Sequence, residues 1–201
     1  MHTPPLLIFA KAPLPGQVKT RLIPALGAEG ACALYRRLLR HTLQQTAAWT
    51  GPRYLYCAPD SQHAELQRLA SEFGVQLRNQ SGEDLGMRMF NALAEHNGGA
   101  LLIGTDCPDL GCSHLQQAAE ALTSYHSVFL PSEDGGYVLV GQYFAHPAPF
   151  ADMRWSQPDV MQQSRQRLEN AGLSCWLGPV LWDLDEPADL PRLQLTDEHE
   201  S

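Results

Sequence analysis

Ala100-Leu101-Leu102-Ile103-Gly104-Thr105-Asp106-Cys107-Pro108-Asp109-Leu110 decides the fold. An apolar run without alternation describes a strand buried on both faces, as in the middle of a parallel sheet. Gly104 permits close backbone approach. Asp106 then projects at the carboxyl edge of the strand, where open α/β sheets bind their ligands. A carboxylate there suits a hard cation that also bridges phosphates, since Mg²⁺ is usually held by one or two carboxylates plus phosphate oxygens. Asp109 reads better as a cap for the following helix than as a second ligand.

Outward from this strand, short apolar runs alternate with helical patterns. Strands are expected at 6–10, 54–58, 75–77, 128–130, 137–140 and 176–181. Helices are expected at 28–49, at 61–73 with Gly74 closing it, at 84–96, at 113–124 with Ser113 as N-cap, and at 158–170 with Pro158 in the first position. This alternation predicts an α/β class chain, a three-layer sandwich around a mostly parallel sheet. One domain over 1–195 and a polar tail at 196–201 follow from the absence of repeats and linkers.

The first strand leads into Lys11-Ala12-Pro13-Leu14-Pro15-Gly16-Gln17-Val18-Lys19-Thr20-Arg21. Pro13, Pro15 and Gly16 shape the loop, and Lys11, Lys19 and Arg21 make it cationic. A compact Lys and a forked Arg together neutralise a diphosphate or triphosphate. Lys19-Thr20 is not a P-loop, because Val18 stands where that motif needs glycine. Asp84 and Arg88 open a helix whose free N–H groups favour an anion.

Two further acidic segments stand out. Glu133-Asp134-Gly135-Gly136 separates two strands and reads first as a hairpin turn. Its carboxylates are also candidates for binding acceptor hydroxyls or for acting as a base. Asp183 and Asp185 share a side if the backbone is extended, so either completes a metal site with Asp106. Helix capping around Asp185, Glu186 and Pro187 is the competing reading. Trp155 is a cleft-lining aromatic or core.

The chain has 201 residues and a net charge of −8. That acidity argues against nucleic acid, whose phosphates need clustered Lys and Arg. No apolar run is long enough for a membrane span. The five scattered cysteines fit reduced thiols in a cytoplasmic protein. The eight histidines show no metal-ligand spacing.

Five segments in order resemble a bacterial family of glycosyltransferase-like proteins, the selenodomain-associated or arsenosugar-biosynthesis transferases. They are FAKAPLPGQVKTRL at 9–22, GEDLGMRM at 82–89, LIGTDCPDL at 102–110, PSEDGGYVLVG at 131–141 and WDLDEPADL at 182–190. The resemblance implies a GT-A, or nucleotide-diphospho-sugar transferase, fold. It implies donor phosphates at Lys19 and Arg21, a metal at Asp106 with Asp183 or Asp185, and an acceptor near Asp134, Gly135 and Gly136. The chain departs from many sugar transferases in having Thr105-Asp106-Cys107-Pro108-Asp109 in place of a D-x-D motif. It also carries Glu186 where related sequences usually have Thr or Ser.

The expectation is a Mg²⁺- or Mn²⁺-dependent glycosyltransferase that takes a nucleotide sugar and a small-molecule acceptor. Its catalytic groups are Lys19, Arg21, Asp106 and Asp134. The donor set is Ala10, Lys11, Pro13, Gly16, Lys19, Arg21, Asp84, Arg88, Thr105 and Asp106. The acceptor set is Glu133, Asp134, Gly135, Gly136 and Trp155. Nucleotidyl transfer from a nucleoside triphosphate is the rival, and nucleotide binding without turnover is the third reading.

Overall fold

Seven strands form one sheet in the order β3-β2-β1-β4-β6-β5-β7 in a computed structural model that describes residues 3–193. The strands are β1 Leu6–Lys11, β2 Arg53–Ala58, β3 Gln76–Asn79, β4 Ala100–Ile103, β5 Ser127–Pro131, β6 Tyr137–Gln142 and β7 Cys175–Leu177. The helices are α1 Ile23–Gln45, α2 Ala64–Phe73, α3 Leu85–Ala94, α4 Cys112–Ala121 and α5 Val160–Asn170. β6 runs antiparallel to β4 and β5, and every other pairing is parallel. The expected mostly parallel sandwich is therefore present.

The burial pattern gives the reason for the layers. All of β4 is buried, because helices cover both faces. In β1, Leu6, Ile8 and Ala10 point to one core and Leu7 to the other, the period of two that a strand imposes. The first core collects Tyr35, Leu39 and Leu43 of α1, Leu66 and Leu69 of α2, and Leu115 of α4. The second collects Met89 and Leu93 of α3 with Met161 and Leu168 of α5.

Helix α1 carries an apolar stripe wide enough to serve two partners. Beyond its sheet-facing residues, Ala31, Leu34 and Leu38 pack against Trp182 and Leu184. Burial of two such side chains contributes roughly 1.5–3 kcal/mol each. That contact fastens the segment bearing Asp183 and Asp185 to the body of the protein.

Several local expectations change. Helix α1 extends back to Ile23 across a kink at Gly27, whose φ of 69° breaks the regular helix, and it ends at Gln45. Gly111, not Ser113, caps α4, and its N–H donates to His114 Nδ1 at 3.3 Å. Asp109 caps nothing; its Oδ2 accepts the Trp182 indole N–H at 2.7 Å. Pro158 lies before α5, which starts at Val160. Strand β7 stops at Leu177, and Leu181 makes a single bridge to Ser132. Gly74 closes α2 in the left-handed conformation, as expected. The tail at 196–201 lies outside the described residues.

Candidate active site

A cleft of about 630 Å³ opens at the carboxyl edge of β1 and β4. Because β6 is antiparallel, the β5–β6 turn reaches this same edge and brings Asp134 beside it. The segment after β7 runs along the edge too. Leu181 N–H donates to Pro131 O, Glu133 N–H to Leu181 O and Leu184 N–H to Asp106 O, at 2.9, 2.9 and 2.8 Å. Residues far apart in sequence are thereby joined at one place.

At that place Lys19 meets Asp106 and Asp185. Its Nζ stands 2.7 Å from Asp106 Oδ1 and 3.1 Å from Asp185 Oδ1, and it donates to the Leu184 carbonyl. The Lys19 side chain is only 4% exposed. Its backbone sits in the left-handed region with φ 48°, a conformation that costs a non-glycine residue energy. Burial works against the ammonium, but the charges of Asp106 and Asp185 and the hydrogen bond to Asp185 outweigh it and raise the Lys19 pKa. Asp106 Oδ1 is buried and has only this ion pair, without hydrogen-bond geometry. Arg21 reaches Asp185 Oδ2 at 3.3 Å and stays half exposed.

Asp183 faces a different partner, accepting the Ser132 hydroxyl at 2.5 Å. Burial raises its pKa, the Ser132 hydrogen bond opposes this, and the charges of Asp134, Asp185 and Asp106 add to it. No three His, Cys, Asp or Glu side chains converge into a metal cage among the described residues. Asp106 and Asp185 do turn hard oxygens toward one cation position. That set fits Mg²⁺ or Mn²⁺ when donor phosphates supply the remaining ligands.

Of the expected residues, Ala10, Lys11, Lys19, Arg21, Arg88, Thr105, Asp106, Asp134, Gly136, Trp155, Asp183 and Asp185 line the cleft. Others are placed differently. The Pro13 carbonyl is held away by Cys32 Sγ and the Arg36 guanidinium. Asp84 caps α3 through Met87 N–H at 2.8 Å. Glu133 is held by Arg192 in a two-point contact at 2.7 and 3.0 Å, which lowers its pKa. Arg192 also lies over the Trp182 ring at 4.5 Å. Gly16 and Gly135 shape turns with φ of 79° and 90°. At Gly135 a Cβ would meet the Pro158 carbonyl oxygen at 1.9 Å.

Sequence reasoning missed several contributors. Tyr35 accepts from Lys11 N–H at 2.7 Å and donates to Lys11 O at 3.1 Å, fixing the end of β1. Gln80 donates its amide to the carbonyls of Ala10 and Tyr56, at 3.2 and 2.9 Å, and lines the cleft. Phe9, Met89, Leu102, Tyr137, Val140 and Val160 make one wall apolar. Cys107 also lines the cleft, but burial pushes its thiol up to about 12, so it is no nucleophile near neutral pH. All five cysteines are unpaired. No described helix is long and apolar enough to cross a membrane.

A family model described as "Uncharacterized protein conserved in bacteria (DUF2064)" matches residues 41–157. No curated protein matches the chain in sequence. A candidate nucleotide-diphospho-sugar transferase from Desulfovibrio desulfuricans superposes with TM-score 0.86 at 30% identity, covering 100% of this chain and 90% of that one. A 4-diphosphocytidyl-2C-methyl-D-erythritol synthase from Anaerococcus prevotii gives TM-score 0.62 at 11% identity, covering 94% of each chain. Glucosyl-3-phosphoglycerate synthase from Mycobacterium tuberculosis, in complex with Mn²⁺, UDP and glucosyl-3-phosphoglycerate, gives 0.57 at 8% identity, covering 95% of this chain and 75% of that one. The last two share the fold at identities too low to say more. The chain therefore belongs to the DUF2064 family of proteins conserved in bacteria, and it has the nucleotide-diphospho-sugar transferase fold.

Proposed function

We propose that this protein is a transferase that moves a sugar from a nucleotide-diphosphate donor to a small-molecule acceptor with the help of Mg²⁺ or Mn²⁺. The observation that carries the reading is the Asp106–Lys19–Asp185 cluster beside Arg21, at the edge of a cleft with a separate apolar wall. A charged end suits a diphosphate, and an apolar wall suits a second molecule.

The cations that line the cleft suit a phosphate-bearing donor. Lys19 is already engaged by carboxylates, which leaves Lys11, Arg21 and Arg88 lining the cleft. Arg21 itself shares its charge with Asp185.

Asp106 and Asp185 would hold the metal, whose chemistry is to neutralise charge on the departing diphosphate. Arg21 and Lys11 add electrostatic stabilisation where that charge develops. Asp134 is the group we assign to orient or deprotonate the acceptor hydroxyl. Glu133 is a poorer choice, since Arg192 holds both its oxygens. The assignment includes a cytoplasmic location, where unpaired thiols stay reduced.

A ligand panel tests this. Nucleotide sugars, nucleoside diphosphates and nucleoside triphosphates are each added with and without Mn²⁺, and melting is followed. Ligand at about 100 times its dissociation constant adds roughly 2.7 kcal/mol of stability. Stabilisation by one nucleotide sugar, with nucleoside diphosphate released on turnover, is the expected result. Stabilisation by a triphosphate with release of pyrophosphate would replace it with nucleotidyl transfer. Binding without product from any donor would leave a nucleotide-binding protein.

A further inference from the structure

We infer that Lys19 is a resident counter-cation, whose ammonium occupies the seat between Asp106 and Asp185 and gives it up to a divalent ion only when donor phosphates arrive. The inference rests on the metal-dependent reading above and adds the order of events at that site.

The geometry carries the argument. An ammonium has three donors and no acceptor. Lys19 gives two of them to the Leu184 carbonyl and Asp185 Oδ1, and its charge faces Asp106 Oδ1 at 2.7 Å. One nitrogen thus bridges both carboxylates from a side chain that is 4% exposed. A divalent ion placed between the two carboxylates would meet this ammonium at contact distance, where like charges in a partly buried site repel strongly. Lys19 holds this position from a backbone in the left-handed region.

The arrangement also explains why the two carboxylates stand so close. Asp106 and Asp185 follow different strands, and the Lys19 ammonium between them offsets their mutual repulsion. When a diphosphate enters the cleft, it offers the ammonium new acceptors. Lys19 then leaves the carboxylates for the phosphates, and the carboxylates become free for a divalent ion. Lys19 is in this sense a positioning residue that couples metal entry to donor entry.

The test is Mn²⁺ affinity, read by electron paramagnetic resonance of free Mn²⁺ in wild type and Lys19→Met, with and without UDP, GDP, ADP or CDP. In the absence of nucleotide, Lys19→Met is expected to bind Mn²⁺ at least tenfold more tightly than wild type. Asp106→Asn added to Lys19→Met should remove the gain. Nucleotide should strengthen Mn²⁺ binding more in wild type than in Lys19→Met. Misfolding cannot mimic tighter binding. If Lys19→Met fails to fold in metal-free buffer, Mn²⁺ must restore its melting transition, and failure to do so overturns the inference. Equal or weaker Mn²⁺ affinity in a folded Lys19→Met also overturns it. In that case Mn²⁺ binding by wild type with nucleotide would leave the proposed function standing. Absence of Mn²⁺ binding in every protein and every condition would overturn both.

Discussion

On one wall of the cleft, formed by the ends of β1 and β4 and the segment 182–185, charge answers charge. Lys19 lies between Asp106 and Asp185, and Arg21 reaches Asp185 from the other side. On the opposite wall, α3, β6, the loop before α5 and the start of α5 present Met89, Tyr137, Val140, Trp155 and Val160. There the Trp155 indole N–H is buried without a partner, and Asp152 and Ser156 hold positive φ of 51° and 60°. The first wall is fixed by long-range ion pairs, although Asp106 Oδ1 has an ion pair without hydrogen-bond geometry and Lys19 also holds a positive φ of 48°. The second differs in being apolar, with no ion pair to match its indole N–H. Under the proposed function, the first wall would take the phosphates and the other the second molecule.

Asp106→Asn should break the first wall most severely. Loss of the carboxylate removes both the proposed metal ligand and the Lys19 ion pair. Turnover is expected to fall about 10³-fold, equivalent to roughly 4 kcal/mol of transition-state stabilisation. The fold should survive, because Asp106 is partly exposed and no core residue moves. Steady-state kinetics with the donor found in the ligand panel checks this; a loss below tenfold would remove Asp106 from the chemistry.

Gly135→Ala tests whether the turn between the walls is fixed. The added Cβ would overlap the Pro158 carbonyl, which sits 1.9 Å from its ideal position, and φ is 90°. Strain and overlap should together cost about 3 kcal/mol. Thermal unfolding should show a drop of roughly 6–12 °C. A drop of less than about 2 °C would mean that the turn and the segment before α5 move apart easily.

Trp155→Phe sharpens the other side. Phenylalanine keeps an apolar ring and removes the N–H that lacks a partner. An unpaired buried donor costs about 1–3 kcal/mol, so the free protein should be as stable as wild type or slightly more so. The KM for the acceptor should rise three- to tenfold while that for the donor stays put. Equal effects on both constants would dissolve the division between the walls.

The two walls also differ in how much the sequence discloses. Asp106 and the cationic loop each follow a strand within a few residues, so contiguous motifs point to the carboxyl edge. Direction is another matter. That Lys19 turns inward depends on Asp185, 166 residues away, and on a left-handed backbone that no composition rule foretells. Glu133 is likewise held by Arg192, 59 residues on. The apolar wall takes single residues from several elements, and each of them looks like ordinary core. Local capping also misleads, since Ser113 is chemically the better cap, yet the chain turns at Gly111. The sandwich itself was legible because its period-two and period-3.6 patterns are carried by many residues at once.

Asp183 offers the smallest effect, with its sign set by burial. Its folded-state pKa is raised, first by desolvation, against the Ser132 hydrogen bond and with the charges of Asp134, Asp185 and Asp106. A raised folded pKa means that the folded state binds the proton more readily than the unfolded chain. The associated stability is full below the unfolded value near 4 and is lost as pH rises through the folded value. In metal-free protein at pH 7, ionised Asp183 is therefore a small liability. Asp183→Asn should raise the melting temperature by about 1–2 °C at pH 7, a gain of well under 1 kcal/mol. The gain should vanish below about pH 4, where wild-type Asp183 is protonated in both states. Melting curves from pH 3.5 to 8 would show it, and a variant less stable at pH 7 would mean that the Ser132 hydrogen bond outweighs the burial. The same variant separates the two C-terminal carboxylates: weaker Mn²⁺ binding with nucleotide would make Asp183 a ligand, and unchanged binding would leave that place to Asp185.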